Sequence, residues 1–229
     1  MSLNVTKRIV CLVSVIMLAG IRAYAESYFL DRSDVTLEYV RSEAGDGKFT
    51  WRHAVNVIDV KDTGTHIKYT TESFFTKENG KPLYRSVVTE TAIVDKLSGD
   101  VSLDVGGAMA SYIKARTGLN ASSTGKHSIL PAAMEPGDTL APVVAHAKVG
   151  PLTYKLVVSE RKVLRRETIT VPAGTFDCIV VSENKLETGP GHNRYVTNVT
   201  WYSKGVGYVR HDTYIKGKLD TSEILNSIR

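Results

Sequence analysis

The sequence predicts a mostly β, antiparallel, exported domain. Three observations carry this. Side chains alternate with period two along most of the chain, turn residues punctuate the alternation at short intervals, and the N-terminus carries a short apolar run behind two basic residues.

The N-terminal segment is read first, because it sets the compartment. Lys7 and Arg8 form a basic start, Ile9 to Leu18 is apolar, and Ala23-Tyr24-Ala25 is a small-x-small cleavage site. Residues 1–25 are therefore expected to be a signal peptide, and 26–229 a single exported β-rich domain. The apolar run is too short to span a bilayer, and no later run approaches the ~18 residues a membrane helix needs. No transmembrane segment is expected in the mature chain. Lipidation is not expected either, because Glu26 and not a cysteine follows Ala25. The expected place is the periplasm, with a peripheral membrane or extracellular position as alternatives.

Between residues 27 and 105 the alternation is clear. Val35, Leu37 and Tyr39 share one face, as do Trp51, His53, Val55 and Val57. Ile67, Tyr69 and Thr71 follow, then Val87, Thr89, Thr91 and Ile93. Such β-branched and aromatic alternation predicts antiparallel strands with one buried face. Gly45-Asp46-Gly47, Asp62-Thr63-Gly64 and Ser98-Gly99-Asp100 separate the strands, and Asn79-Gly80 predicts a primed hairpin turn.

Residues 106–151 break the rhythm. Ala108–Arg116 predicts a short helix with Met109, Tyr112 and Ile113 on one side. Four of the seven prolines follow, at 131, 136, 142 and 151, and predict a crossover or plug. Strands resume at 152. Pro172-Ala173-Gly174 predicts a tight turn between two of them, and Val206–Lys216 is expected to close the sheet. Asp220, Glu223, Ile224, Leu225 and Ile228 carry the signature of a short C-terminal helix. The run Arg161-Lys162 with Arg165-Arg166 reads as an exposed, edge-protecting strand.

The C-terminal third carries a family resemblance. ETITVPAGTFDC at 167–178 and WYSKGVGYVR at 201–210, with Pro131, Gly137-Asp138 and Leu140 upstream, resemble the TapB-like family of exported bacterial domains of unknown function. The resemblance implies a single curved antiparallel sheet, a half-barrel similar to the lipoprotein carriers of the LolA and LolB type. A helix-and-loop element would plug its concave face. It implies no catalytic residue.

Composition narrows the function. The first 25 residues hold Lys7, Arg8 and Arg22 and no acid, so their removal lowers the formal charge from +5 to +2. That is no basic surface for nucleic acid. No phosphate loop, G-x-S-x-G, C-x-x-C or HExxH is present. The six histidines lack metal spacing, although His53 and His66 sit on neighbouring strands. Cys178 shares a face with Phe176 and Val180, which predicts a buried, inert thiol. His211 has no evident partner and reads as surface. The expected function is therefore non-enzymatic, without cofactor or metal: an envelope protein that binds a lipid or other apolar or amphipathic ligand. Trp51, Phe74, Tyr84, Tyr154 and Trp201 are the candidate ligand-binding side chains. The alternative is a structural module that meets another envelope protein.

Overall fold

Antiparallel pairing organises nearly all of the computed structural model, which describes residues 25–30 and 32–229. Apart from Ala25, the predicted signal peptide lies outside the described residues. A meander opens the fold: β1 (Thr36–Glu43), β2 (Phe49–Asp62), β3 (His66–Thr76), β4 (Val88–Asp95) and β5 (Val101–Leu103). Helix α1 (Val105–Thr117) follows, then the short strands β6 (Ser122–Gly125), β7 (Ser128–Leu130) and β8 (Thr139–Leu140). The second half is β9 (Val143–Val149), β10 (Leu152–Val171), β11 (Gly174–Gly189), β12 (His192–Ser203), β13 (Gly207–Ile215) and β14 (Lys218–Ile228). The order across the sheet is β6-β9-β10-β11-β12-β13-β14-β1-β2-β3-β4-β5-β7, with β8 on β10. One antiparallel sheet not closed into a barrel, with one short helix, is the predicted class.

The sheet curls over one interior. Tyr69, Ala92, Val94 and Val101 from its first half share a cluster with Val163, Ile179, Val181 and Val209 from its second, all buried. Burying such side chains contributes roughly 1.5–3 kcal/mol each. The aliphatic part of the concave face is thus filled by the chain itself. Helix α1 bridges the open side, packing on β4 to one side and on β6 and β9 to the other. Met109 reaches Val143, Ala145, Leu156 and Val158. Asp104 caps the helix by accepting from the Gly107 N–H at 2.8 Å, and Gly118 ends it at φ +80°.

Residues 25–30 close one end of the curl. The Gly205 N–H donates to the Ser27 carbonyl at 2.9 Å, and Tyr28 and Leu30 enter the core. The same strap crosses the β4–β5 turn so closely that a Cβ on Gly99 would lie 2.9 Å from the Glu26 carbonyl oxygen.

Four expectations are corrected. The C-terminal helix is instead strand β14, hydrogen-bonded on both sides, to β1 and β13. Ile224, Leu225 and Ile228 suit a helical stripe, but pairing on two flanks satisfies the backbone of every interior residue, and Thr221, Glu223 and Leu225 face inward together. Consequently β13 does not close the sheet. Next, β10 is an edge strand only in part: β9 covers Leu152–Val158 and β8 covers Arg161 and Lys162, whereas Arg165 and Arg166 are exposed, with β11 on one flank alone. A bulge there holds Glu160 at φ +50° and turns Arg161 inward, 2% exposed, where Nε lies 3.2 Å from the Glu183 carboxylate. Finally, Asn79 does not take positive φ; only Gly80 does, so the turn is not of the primed type.

The turn at Pro172-Ala173 forms as predicted, with Val171 opposite Gly174. Gly174 has φ +141°, and a Cβ there meets nothing nearer than the Phe176 ring at 3.7 Å. Gly174→Val is expected to cost about 1–3 kcal/mol through backbone strain alone. A urea midpoint measures it; an unchanged midpoint shows the turn relaxes freely.

Candidate functional site

Strand register sets a polar cluster on the concave face. Tyr39 and Arg41 follow Leu37 at inward positions of β1, and His53 faces Tyr39 across β2. On the other flank Glu223 and Thr221 follow Leu225 at inward positions of β14. Arg41 Nη1 lies 3.2 Å from Glu223 Oε2, and its Nη2 donates to Thr213 and Thr221. His53 Nδ1 sits 2.7 Å from Glu223 Oε1, and its Nε2 faces the Tyr208 hydroxyl at 3.1 Å. One carboxylate therefore joins β14 to β1 and β2 and, through Tyr208, to β13.

Burial alone would raise the Glu223 carboxyl. The hydrogen bond and charge of His53, with the charge of Arg41, prevail and hold it at about 2. His211 faces Glu223 from β13, with Nδ1 2.9 Å from the Thr200 hydroxyl. It is not the surface residue expected. Burial lowers it to about 4, against the pull of Glu223.

Both shifts act on the acid side. Glu223 contributes stability fully present above its ordinary value of 4.5 and lost as pH falls through about 2. His211 stays neutral in the fold while the unfolded chain protonates below 6.5, so stability falls from pH 6.5 to about 4 and the loss then levels off. The loss attributable to His211 is roughly 3 kcal/mol. Urea midpoints between pH 7.5 and 4 should decline, and His211→Gln should flatten that decline. A variant with the same slope would assign it elsewhere.

An aromatic run leads outward from this cluster. His53 stacks on Tyr39 at 4.8 Å and on Phe75 at 4.7 Å between centroids. Phe75 meets Tyr84 at 5.0 Å and Trp51 at 6.3 Å. Tyr84 meets Tyr112 of α1, with hydroxyls 2.8 Å apart. The Arg41 guanidinium lies 4.8 Å over the Trp51 ring. Arg41 Nε and Trp51 Nε1 are buried donors that find no acceptor in the protein.

Glu90 belongs to the same face. It pairs with Thr71 on β3, in register with Ala92 opposite Tyr69 and Val88 opposite Ser73. The residue as a whole is exposed. Burial nevertheless raises its pKa, with the charge of His53 acting the other way, and its own charge is felt at Tyr208. Its register puts it on the same side of β4 as Val88 and Ala92, which are buried.

Of the predicted ligand-binding residues, the structure brings Trp51 and Tyr84 together and no others. Phe74 lies on the outer face opposite Ala54, 44% exposed, because Phe75 takes the inward position. Trp201 is also on the outer face, opposite Val180 and Arg210. Tyr154 sits far along β10, opposite Ala147 and against Gly189. His53 and His66 do not meet: they oppose Phe75 and Asp95. Cys178 is buried, and burial pushes its thiol up to about 12. It lines a cavity of about 540 Å³ with Tyr28, Arg166, Glu167 and Lys204. Among the described residues no His, Cys, Asp and Glu gather into a metal-binding cluster, and no helix is long and apolar enough to cross a membrane.

Two solved structures share this architecture. A "putative exported protein with YmcC-like fold" from Bacteroides fragilis superposes with a TM-score of 0.72 at 21% identity, covering 89% of this chain and 99% of that one. A "putative lipoprotein" from Parabacteroides distasonis gives a TM-score of 0.69 at 18% identity, covering 90% of this chain and 99% of that one. At these identities the likeness is one of fold. No curated protein matches the sequence. The DUF3108-like family matches residues 35–225, most of the chain, and the chain belongs to that family.

Proposed function

We propose that the protein is a non-enzymatic periplasmic binding protein that holds an amphipathic ligand against the aromatic part of its concave face. The half-barrel lipoprotein carriers that the sequence resembles supply the general form of this reading. The observation that carries it is the division of the concave face. Its aliphatic half is packed shut by Leu37, Val57, Val163, Val181 and Leu225. The other half presents half-buried rings, Trp51, Phe75 and Tyr84, beside polar groups without partners. Binding sites commonly combine such apolar walls with a few polar groups. Glu223, His53 and Tyr208 close a polar circuit behind these rings, and burial raises the Tyr208 hydroxyl far above its ordinary value.

Fluorescence titration with the neutral amphiphile N-phenyl-1-naphthylamine tests this reading. Phe75→Ala is expected to weaken binding at least about tenfold, the loss of one well-placed ring contact, whereas Phe74→Ala on the outer face leaves it unchanged. Equal effects of the two substitutions, or no saturable binding, would count against the site.

A further inference from the structure

We propose that one end of the sheet docks on a bilayer surface rich in anionic phospholipid. An apolar band on the outer face enters the interface, and the lysines of neighbouring hairpin tips meet the headgroups. The band follows from strand register. Val144 pairs with Val157, Val157 with Leu186 and Leu186 with Tyr195, a row that crosses β9 to β12. Tyr214 and Leu219, paired with each other, carry it onto β13 and β14, since Tyr214 stands opposite Thr197, two places from Tyr195. The residues that alternate with this row, among them Leu156, Val158, Val196 and Thr213, are buried, so the row faces outward. Tyr195 is 57% exposed and Leu219 37%, and no member of the row packs against either core cluster. Farther along the same face the Trp201 ring is covered by the guanidinium groups of Arg165 and Arg210. Tyr195 has no such cover.

Charge says what covers the band. It runs beside the β9–β10, β11–β12 and β13–β14 turns, which antiparallel pairing gathers at one end of the sheet. Residues 148–155, 188–195 and 213–219 hold Lys148, Lys155, Arg194, Lys216 and Lys218 and no Asp or Glu. Lys155 shares the outer face with Val157, and Lys148 shares it with Val144. The four lysines are exposed, and none forms an ion pair among the described residues. Arg194 answers Asp220 at 3.8 Å. Residues 26–229 together carry only +2, so these tips are a local concentration of positive charge. Exposed aliphatic and tyrosine side chains gain by entering the headgroup layer. Each lysine near an anionic leaflet strengthens attachment roughly fivefold. A second copy of this chain fits less well, because a symmetric contact would set the same lysines against one another.

Cosedimentation of the full exported domain with lipid vesicles tests the surface. Vesicles of equal parts phosphatidylglycerol and phosphatidylcholine are expected to bind at least about tenfold more tightly than phosphatidylcholine alone. Lys216→Glu/Lys218→Glu should remove that preference, and so should Lys148→Glu/Lys155→Glu on a separate hairpin. Lys61→Glu/Lys68→Glu changes the net charge equally, at exposed positions toward the opposite end of the sheet, and should retain it. Tyr195→Ser should weaken binding several-fold at unchanged charge. Equal binding to the two vesicle types, or binding to neither, overturns the proposal. Equal losses in the tip pairs and the Lys61/Lys68 pair overturn it too, because overall charge would then explain the attraction. A dimer that Tyr195→Ser dissolves assigns the band to a second copy and likewise overturns it.

Discussion

Glu223→Leu is expected to be among the most damaging single substitutions in the protein, costing about 3–5 kcal/mol. The side chain is 7% exposed and faces Arg41 and His53 at once. Removing the carboxylate leaves the Arg41 guanidinium, 11% exposed, without a counter-charge inside the sheet. It also frees the His53 ring, which links β2 to Tyr208. The same physics predicts that the double variant Arg41→Met/Glu223→Leu recovers much of the loss. Replacing both members of a buried pair by apolar groups is often neutral, whereas breaking it never is. Denaturant midpoints of the single and double variants decide it. A double variant as unstable as the sum of its parts would show that Arg41 and Glu223 act separately, through Thr213, Thr221 and His53.

The strands of the first half were legible because every inward position there obeys one period. The turn at Pro172-Ala173 was legible because proline and glycine constrain the backbone locally. What escaped depends on partners distant in sequence. Strand β14 could be read as a helix because Ile224, Leu225 and Ile228 fit both periods. The gap between β1 and β13, which only a strand fills, is set by pairing such as Tyr39 with Leu225. The inward turn of Arg161 depends on one bulged residue, Glu160, that no alternation announces.

The polar cluster did leave a signal. Arg41 falls on the parity of Leu37 and Tyr39, and Glu223 on that of Leu225. Charges in register with inward apolar residues, on strands of opposite sign, mark a buried pair. Phe75 was legible by the same parity, two places beyond Ser73 and six beyond Tyr69, although its neighbour Phe74 was the residue singled out.

Trp201→Ala is expected to cost about 3–5 kcal/mol, more than the strain at Gly174→Val. The ring is 5% exposed although it lies on the outer face. Its cover is charged: the Arg210 guanidinium lies 4.7 Å from the ring centroid and that of Arg165 at 5.8 Å, while Nε1–H donates to Glu167 at 2.8 Å. Arg210 is itself fixed by Asp212, which is fully buried and also accepts from Ser222. The indole is therefore the apolar support beneath a charged lattice over β10 to β13. Trp201→Phe separates the two contributions. It keeps most of the buried ring and loses only the hydrogen bond that holds the Glu167 carboxyl below its ordinary value, so it should cost about 1 kcal/mol. Urea midpoints for Trp201→Ala and Trp201→Phe give the ratio directly. Equal losses would assign the stabilisation to the bond with Glu167 and not to the buried ring.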